Sequence, residues 1–399
     1  MPGATKSICE HEKRDIFLMW NKEIKSIEPL LPKEYSKEDI ISLLKYYYPY
    51  EWEGVESKYL YYKTKDKYLK RFFGKTRFGM PDPESLIQEV SNFKKILSRN
   101  YKKLHEYNYS EEKRVNAERM LWNERKDKIE RIKKKIEKAL NKTQQVTPEF
   151  IDKLIGLYER KKTTQKDRVY ILLELKKYYC RKVIQFFFKL NDIEINRQLR
   201  YEAFYHLQEF NFNPRLRDQK HMQIHTKNEK RKKILKDLYS NEKYDVPLCP
   251  DELEYRIENS KEQKIKSYDY FISHSSKDSK EVQDLIIAEN RMQKNIFCDW
   301  INDVDYLKRH LLCEATLKVL EERMKQSKAL IFVESENSLK SKWCKYELNY
   351  FYELQKPIYY IKIDSIKDKS FDLKLMDDKW YLDSNYKKLA LLEGLKYVN

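Results

Sequence analysis

Glycine is scarce in this sequence. There are six glycines, and none lies between Gly156 and Gly394. A P-loop and the G-x-G-x-x-G turn of dinucleotide-binding folds both need closely spaced glycines, because their backbones must approach phosphate groups. The second half of the chain therefore contains neither motif. A nucleotide that binds there must be held in another way, and the usual hydride-transfer folds are excluded.

Long apolar runs and paired cysteines are also absent. No run approaches the ~18 apolar residues that a membrane-spanning helix needs, and the first residues are polar, unlike a signal peptide. The six cysteines are scattered without a C-x-x-C pair. This usage is typical of reduced thiols rather than of a disulfide framework. We therefore expect a cytoplasmic protein that does not associate with membranes.

Metal-binding motifs are missing as well. His221 and His225 have the spacing of two ligands on one helix face, but the glutamate of an H-E-x-x-H motif is absent and no cysteine cluster lies nearby. The sequence therefore predicts no metal site and no bound cofactor.

Positive charge is abundant and unevenly distributed. The chain has 82 basic and 64 acidic side chains, a net charge of +18, whereas residues 261–399 carry 25 basic and 23 acidic ones. Most of the excess therefore lies in residues 1–260, with the densest run at residues 227–236. This favours a nucleic acid or an acidic protein as a trigger for the N-terminal region. Nucleic-acid binding would weaken steeply with salt, and a solvated helix face is the alternative interpretation of the run.

The first 245 residues are predicted to be a mostly helical region that senses a trigger or scaffolds assembly. Ile129, Ile132, Ile136 and Leu140, for example, recur at spacings of three and four, which is the apolar stripe of a helix. A break near residue 145 could divide this region into two subdomains. The prolines at 247 and 250 interrupt the helical pattern, so residues 246–266 are predicted to be a linker.

From residue 267 onward, short apolar strands alternate with helices. The predicted strands are residues 268–273, 296–298, 329–333 and 357–363, and the predicted helices are residues 281–288, 311–324 and 343–354. Such alternation indicates a parallel α/β sheet covered by helices on both faces. In sheets of this kind, ligands bind beyond the carboxyl ends of the strands.

Five segments of this domain resemble, in the same order, the motifs of TIR (Toll/interleukin-1 receptor) domains. They are YDYFISHSSKD (268–278), IFCDW (296–300), SKALIFVES (327–335), SLKSKWCKYEL (338–348) and PIYYI (357–361). The resemblance implies that residues 267–399 form a flavodoxin-like domain with a five-stranded parallel sheet. Residues 1–245 resemble no family that we can name.

The W-x-x-x-E helix points to the enzymatic branch of bacterial TIR domains. In that branch its glutamate is catalytic, which implies the same role for Glu347, with Trp343 one turn before it. NAD⁺ would be the substrate, not a cofactor. Because nicotinamide leaves NAD⁺ as a neutral base, no general acid is needed, and a carboxylate can stabilise the oxocarbenium-like ribosyl centre. Capture by water gives ADP-ribose, and capture by the adenine base gives a cyclic product.

The resemblance also implies a set of residues that hold NAD⁺. Polar groups of the loop after the first strand could bind ribose or phosphate, Asp299 follows the second strand, and the two tryptophans could stack on a planar ring, although packing in the core is an alternative for them. We expect His274 to form hydrogen bonds without acting as an acid. The predicted NAD⁺-binding residues are Ser273, His274, Ser275, Ser276, Lys277, Asp299, Trp300 and Trp343.

By resemblance, the chain is expected to be an effector of bacterial anti-phage defence. Oligomerisation through the TIR domains, or a trigger sensed by residues 1–245, would switch on NAD⁺ cleavage. The alternative is a TIR scaffold without catalytic activity that recruits another effector. That protein would associate through its TIR domain and would consume no NAD⁺.

Overall fold

The computed structural model describes residues 4–215, 228–307 and 313–376. Helices make up most of the chain before residue 266, and an α/β domain follows, which confirms the predicted fold class. The first fourteen helices are α1 Ala4–Ile27, α2 Lys37–Tyr47, α3 Pro49–Phe73, α4 Pro83–Ile87, α5 Ser91–Leu97, α6 Arg99–Asn108, α7 Glu111–Leu140, α8 Phe150–Glu159, α9 Gln165–Lys176, α10 Arg181–Ile193, α11 Arg197–Glu209, α12 Glu229–Asn241, α13 Pro250–Asn259 and α14 Lys261–Lys264. The α/β domain then comprises β1 Tyr268–Ser273, α15 Ser279–Arg291, β2 Ile296–Phe297, α16 Asp299–Asn302, α17 Glu314–Lys325, β3 Ser327–Glu334, α18 Glu336–Leu339, α19 Lys342–Glu353, β4 Ile358–Lys362, α20 Ile363–Lys367 and β5 Lys374–Leu375.

Contacts divide the described residues into two compact units. The first comprises residues 4–138 and 204–215, and the second comprises residues 139–203, 228–307 and 313–376. Residues 139–203 are predicted above to belong to the N-terminal region, whereas in the structure they pack with the α/β domain. Residues 246–266, the predicted linker, contain α13 and α14, and α13 buries the side chains of Leu253 and Ile257. His221, His225 and Lys227 lie outside the described residues, as do the chain positions after residue 376. Among the residues described, no helix combines the length and apolar character needed to span a bilayer.

The first unit is a helical bundle with an aromatic core. Trp20 of α1 and Trp52 of α3 lie with their ring centroids 5.7 Å apart, and both side chains are buried. Helix α3 ends at Gly74, whose positive φ of 72° closes the helix in the left-handed conformation that glycine adopts without a steric penalty. The chain then returns through residues 77–79 to the side of α3.

Asp66 of α3 holds residues 77–79 against the helix. Its buried carboxylate accepts hydrogen bonds from the backbone amides of Arg77 (2.8 Å), Phe78 (3.0 Å) and Gly79 (2.7 Å). Burial acts to raise the pKa of Asp66, but the three amides outweigh it, so the pKa lies below its ordinary value of 3.8. The stabilisation is therefore present above about pH 4 and is lost as the pH falls through the lowered pKa.

Asp66→Asn is expected to lower the free energy of unfolding of the first unit by about 1–3 kcal/mol at pH 7, because an amide cannot accept from all three N–H groups as a carboxylate does. Urea unfolding at pH 7 and below pH 4 measures this, and the difference from the unaltered protein should shrink at the lower pH. Asp127→Asn, on the exposed face of α7, is the matched control. Equal stability of Asp66→Asn and the control would contradict the assignment.

The second unit is built on a five-stranded sheet with the order β2-β1-β3-β4-β5. Strands β1 to β4 are parallel and almost entirely apolar in their interior; β3, for example, buries Leu330, Ile331, Phe332 and Val333. Burial on both faces explains why these strands lack the alternation of polar and apolar residues. The prediction of a five-stranded sheet is confirmed.

The fifth strand departs from the predicted parallel arrangement, because β5 runs antiparallel to β4. A parallel return needs a crossover of about a dozen or more residues. The segment between β4 and β5, residues 363–373, is shorter and contains the short helix α20. The chain can therefore turn back beside β4, but it cannot cross over the sheet.

Candidate active site

Helix α19 carries the predicted catalytic glutamate. Ser341 caps its first turn by accepting a hydrogen bond from the Cys344 amide at 3.3 Å. Cys344, Leu348 and Phe351 recur at helical spacing and pack against β1 and β3. Because Glu347 precedes Leu348 on the edge of this apolar stripe, its side chain is drawn into the interior, and the residue is only 9% exposed.

The carboxyl group of Glu347 meets the end of the central strand β1. Ser273, the last residue of β1, donates a hydrogen bond from its hydroxyl to Glu347 Oε2 at 2.6 Å. Ser273 is fully buried, so this contact is shielded from water. Sheet and helix thus place the carboxyl at the carboxyl edge of the parallel strands, where α/β domains bind ligands.

The environment raises the pKa of Glu347 to about 8. Burial is the largest cause, the Ser273 hydroxyl opposes it, and the negative charge of Asp299 raises the pKa further. The carboxyl is therefore largely protonated near pH 7 in the free protein. A cation beside it would favour the charged form.

A cleft of about 630 Å³ opens over this carboxyl. Its floor and walls come from the end of β1 and the loop after it, from the first residue of α15, from α16 and the residues up to Leu307, and from α17 and α19. The residues that line it are Phe271, Ile272, His274, Ser275, Ser276, Ser279, Asp299, Trp300, Val304, Leu307, Thr316, Leu320, Ser341, Trp343 and Glu347. Seven of the nine residues predicted from the sequence are among them. Ser273 lies behind Glu347, and Lys277 is exposed and outside the lining.

His274 and Trp300 form one side of the cleft. The Trp300 indole donates from Nε1 to His274 Nε2 at 3.0 Å, so that this nitrogen acts as an acceptor. The backbone amide of Trp300 also donates to Asp299 Oδ1 at 2.9 Å. Trp300 is partly buried and Asp299 is exposed at the mouth of the cleft. The geometry gives His274 a hydrogen-bonding role that orients the indole.

The serine-rich loop after β1 is fixed at its far end by Asp278. This buried carboxylate accepts hydrogen bonds from the Ser335 hydroxyl at 2.5 Å and from the Asn337 amide at 2.7 Å. Both partners lie just beyond β3. The loop that carries Ser275 and Ser276 is thereby held between the ends of two neighbouring strands.

His274, Cys298 and Asp299 form the one group of three potential metal ligands found within the described ranges, with their ligand atoms all within 4.8 Å of one another. Burial raises the pKa of Cys298 well above its ordinary range, which favours the thiol, and a thiol is a poor ligand. His274 Nε2 already accepts from Trp300. We therefore assign His274 and Asp299 to the lining of the cleft and Cys298 to the apolar core behind it.

The charge of the cleft matches a positively charged planar ring. Its lining, as far as the structure describes it, contains the carboxyl groups of Asp299 and Glu347 but neither lysine nor arginine. Trp300 and Trp343 supply aromatic surface, and Phe271, Leu307 and Leu320 exclude water. A pyridinium ring attached to a sugar can therefore meet both aromatic faces and negative charge.

Several lining residues were not found from the sequence. Ser341 stands two positions before Trp343 in the S-x-W-C-x-x-E-L motif, so its position in a known motif was a signal that could have identified it. Thr316 and Leu320 come from α17, which the motifs do not include. Their spacing of four residues on a helix indicates a shared face, but nothing in the pattern says that this face reaches the cleft.

Comparisons with known proteins cover the domain that contains this cleft. Residues 271–368 match the family model described as the TIR-like domain of the Thoeris protein ThsB. The chain is 34% identical over 363 residues, 91% of its own length and 93% of the relative's, to a protein of Cytobacillus dafuensis named "Putative cyclic ADP-D-ribose synthase TIR2". It is 33% identical over 135 residues, 34% of its length and 62% of the relative's, to the "Probable 3' cyclic ADP-D-ribose synthase ThsB'" of Bacillus cereus (strain MSX-D12). No solved structure matches the chain significantly.

A weaker match extends beyond bacteria. Toll-like receptor 2 of Boselaphus tragocamelus is 30% identical over 127 residues, which cover 29% of this chain and 16% of the receptor. The similarity to the Cytobacillus dafuensis protein, by contrast, runs through both the helical region and the α/β domain. The chain belongs to the family of bacterial TIR-domain proteins that includes this relative.

Proposed function

We propose that this protein cleaves the nicotinamide–ribose bond of NAD⁺ and acts as an effector in bacterial anti-phage defence. The observation that carries the proposal is the carboxyl of Glu347, buried at the floor of a cleft, hydrogen-bonded to Ser273 and one helical turn from Trp343. The names of the two bacterial relatives support it.

The geometry suits a reaction in which positive charge moves from the ring to the sugar. The nicotinamide ring of NAD⁺ is cationic, and it would stack on a tryptophan of the cleft. As the C–N bond breaks, its electron pair leaves with nicotinamide, and the ribosyl carbon becomes electron-poor. The Glu347 carboxylate would stabilise that centre in a site with little water. Asp299, at the mouth, would add to the negative potential.

The product that we propose is a cyclic ADP-ribose, as the relatives' names suggest. Cyclisation requires the adenine base, rather than water, to capture the ribosyl centre. The apolar side chains of Phe271, Leu307 and Leu320 around the cleft favour capture by the base, because they limit access of water. Hydrolysis to ADP-ribose is the competing outcome.

The test is to incubate the full-length protein with NAD⁺ and to separate nicotinamide, ADP-ribose and cyclic products by chromatography. NADH is the control substrate, because its dihydropyridine would have to leave as an anion and should therefore not be released. Release of nicotinamide with a cyclic product supports the proposal in full. Absence of release, also when the protein is concentrated enough to self-associate, would leave the TIR scaffold as the better assignment.

Ser273→Ala is expected to move the pH dependence of the reaction. The Ser273 hydroxyl lowers the pKa of Glu347 against the effect of burial, so its loss raises that pKa above about 8. Because the carboxylate is the active form, kcat/KM should fall about tenfold at pH 7 and recover at alkaline pH.

The measurement is the profile of kcat/KM between pH 6 and 10. Ser275→Ala serves as the control, because the Ser275 hydroxyl accepts from the Lys277 amide and has no bond to Glu347 among those described. Its midpoint should coincide with that of the unaltered protein. A Ser273→Ala profile that is lower at every pH but unshifted would contradict the assigned role.

The N-terminal region is proposed to couple a trigger to this activity. Its net positive charge favours an acidic protein or a nucleic acid as the trigger. Self-association through the TIR domains is the second proposed component of activation.

A further inference from the structure

The wall of the cleft that carries Asp299 and Trp300 is a short, irregular segment. It consists of the single turn α16 and the residues up to Leu307, of which Val304 and Leu307 also line the cleft. A four-residue helix has little stability of its own. Contacts from elsewhere in the unit must therefore hold this wall in place.

The first of these contacts comes from Gln144, which lies between α7 and α8. Its fully buried side chain donates to the carbonyl of Ile296 and accepts from the Ile296 amide at 2.9 Å, so that it pairs with the open edge of β2. The same amide group donates to Asn302 Oδ1 at 3.2 Å, and Asn302 in turn accepts from the Cys298 amide at 2.9 Å. Gln144 thus bonds to Ile296 before Trp300 and to Asn302 after it.

The second contact comes from Lys177, directly after α9. Its ammonium group lies 3.2 Å from Asp303 Oδ1 and 2.9 Å from Glu174 Oε1. Asp303 is fully buried and ends α16, where its backbone amide bonds to the Asp299 carbonyl at 3.0 Å. Its carbonyl accepts from the amides of Tyr306 and Leu307, both at 2.9 Å. Lys177 is therefore bonded to Asp303, the residue whose main chain connects α16 to the residues up to Leu307.

Main-chain hydrogen bonds connect Gln144 to the residues around Lys177. The Gln144 amide donates to the Lys177 carbonyl at 2.9 Å, and the Tyr179 amide donates to the Gln144 carbonyl at 2.9 Å. Two main-chain hydrogen bonds therefore link the backbone at Gln144 to the backbone at residues 177–179. Gln144 and Lys177 both belong to the segment of residues 139–203, which precedes the α/β domain in sequence and makes no direct contribution to the lining of the cleft as described.

We propose that Gln144 and Lys177 are positioning residues, which hold the Asp299–Trp300 wall in the arrangement that binds the nucleotide. The helical segment of residues 139–203 is then a component of the active site, and a change in its packing would switch the affinity for NAD⁺. The expected effect on KM rests on the proposed function, whereas the expected effect on the stability of the wall does not.

The structural part is tested by hydrogen exchange of the full-length protein without NAD⁺. Lys177→Met should speed the exchange of the Asn302 and Asp303 amides about tenfold or more, because Asp303 loses one of the two cations bonded to its carboxylate and keeps only Arg323. Lys266→Met is the matched control. Lys266 belongs to the same buried network, bonded to Glu174 at 2.7 Å and to Gln263 at 3.3 Å, but no hydrogen bond or ion pair described for it reaches the wall.

The kinetic part is tested with NAD⁺ as the substrate. Lys177→Met should raise KM about tenfold and change kcat less than twofold, and Lys177→Arg, which keeps the cation, should restore KM. A merely destabilised protein would instead lose kcat with KM unchanged, as a smaller active fraction does. The same test for Gln144→Ala should give the same split between KM and kcat.

Unchanged exchange of the Asn302 and Asp303 amides in Lys177→Met, or equal acceleration in Lys266→Met, overturns the proposal. So does a loss of kcat alone. If the unaltered protein releases no nicotinamide, the proposed function fails, and the exchange experiment still decides whether Lys177 holds the wall.

Discussion

Replacing Glu347 by glutamine is expected to lower the rate of nicotinamide release from NAD⁺ by about 10²–10³-fold, the range found when one preorganised electrostatic group is removed from an active site. Glutamine keeps the size of the side chain and can still accept a hydrogen bond from Ser273. It cannot carry the negative charge that stabilises the ribosyl centre. The loss should therefore appear in kcat, measured by chromatography of nicotinamide under saturating NAD⁺.

The same substitution should stabilise the fold, which separates loss of chemistry from loss of structure. The pKa of Glu347 is about 8 in the folded protein against an ordinary value of 4.5. Stability is therefore fully present below about pH 4.5 and is lost as the pH rises towards 8, because the unfolded chain releases the proton first. Glutamine does not titrate, so its advantage should grow between pH 5 and pH 9, to on the order of several kcal/mol.

Glu353→Gln is the control for both measurements. Glu353 ends the same helix and is exposed, so neither the rate nor the pH dependence of stability should change by more than the scatter typical of surface substitutions. A Glu347→Gln protein that retains the full rate would remove Glu347 from the mechanism.

The position of Glu347 was predictable because its determinants are local. Trp343 and Glu347 are four residues apart, which places them on one helix face. The buried strand that precedes the helix, β3, has an unbroken apolar run that requires no distant information. The short motif thus specified both the helix and the end of the sheet that it faces.

The supports of the cleft could not be predicted in this way. Gln144, Lys177 and Lys266 belong to no motif in the sequence, and each bonds to a partner in another element of the fold. Charge pairing of this kind depends on tertiary packing, which propensity and periodicity do not contain. The antiparallel strand β5 was not predicted for a related reason. It consists of two exposed residues, Lys374 and Leu375, which are too few to show the residue pattern of a strand.

Arg323→Met is expected to lower the free energy of unfolding of the second unit by about 3–5 kcal/mol, because it leaves a buried carboxylate with too few partners. Arg323 is fully buried in α17, and its Nε donates to Asp303 Oδ2 at 2.8 Å. Its Nη2 donates to Gln263 Oε1 at 2.8 Å. Burial acts to raise the pKa of Asp303, and Arg323 is the largest of the charges that instead hold this pKa far below its usual range.

Calorimetry of the full-length protein measures the effect, with Lys325→Met as the matched control on the same helix. Lys325 is half exposed and pairs with Glu322 at the surface, so its replacement should cost no more than about 1 kcal/mol. Similar unfolding temperatures for the two variants would contradict the expected cost of leaving the buried Asp303 carboxylate without Arg323.

The double variant Asp303→Leu with Arg323→Met separates two causes of lost stability. One is the loss of the Arg323–Asp303 ion pair, and the other is the cost of a buried Asp303 carboxylate that has no arginine beside it. If the large effect of Arg323→Met comes from the carboxylate left behind, the double variant should recover much of the lost stability, because buried ion pairs are often replaced by apolar groups with little loss. Its NAD⁺ affinity should stay low, since Lys177 then has no carboxylate through which to hold the wall of the cleft. Recovery of stability without recovery of affinity would mean that this network is kept for the geometry of the active site and not for the stability of the fold.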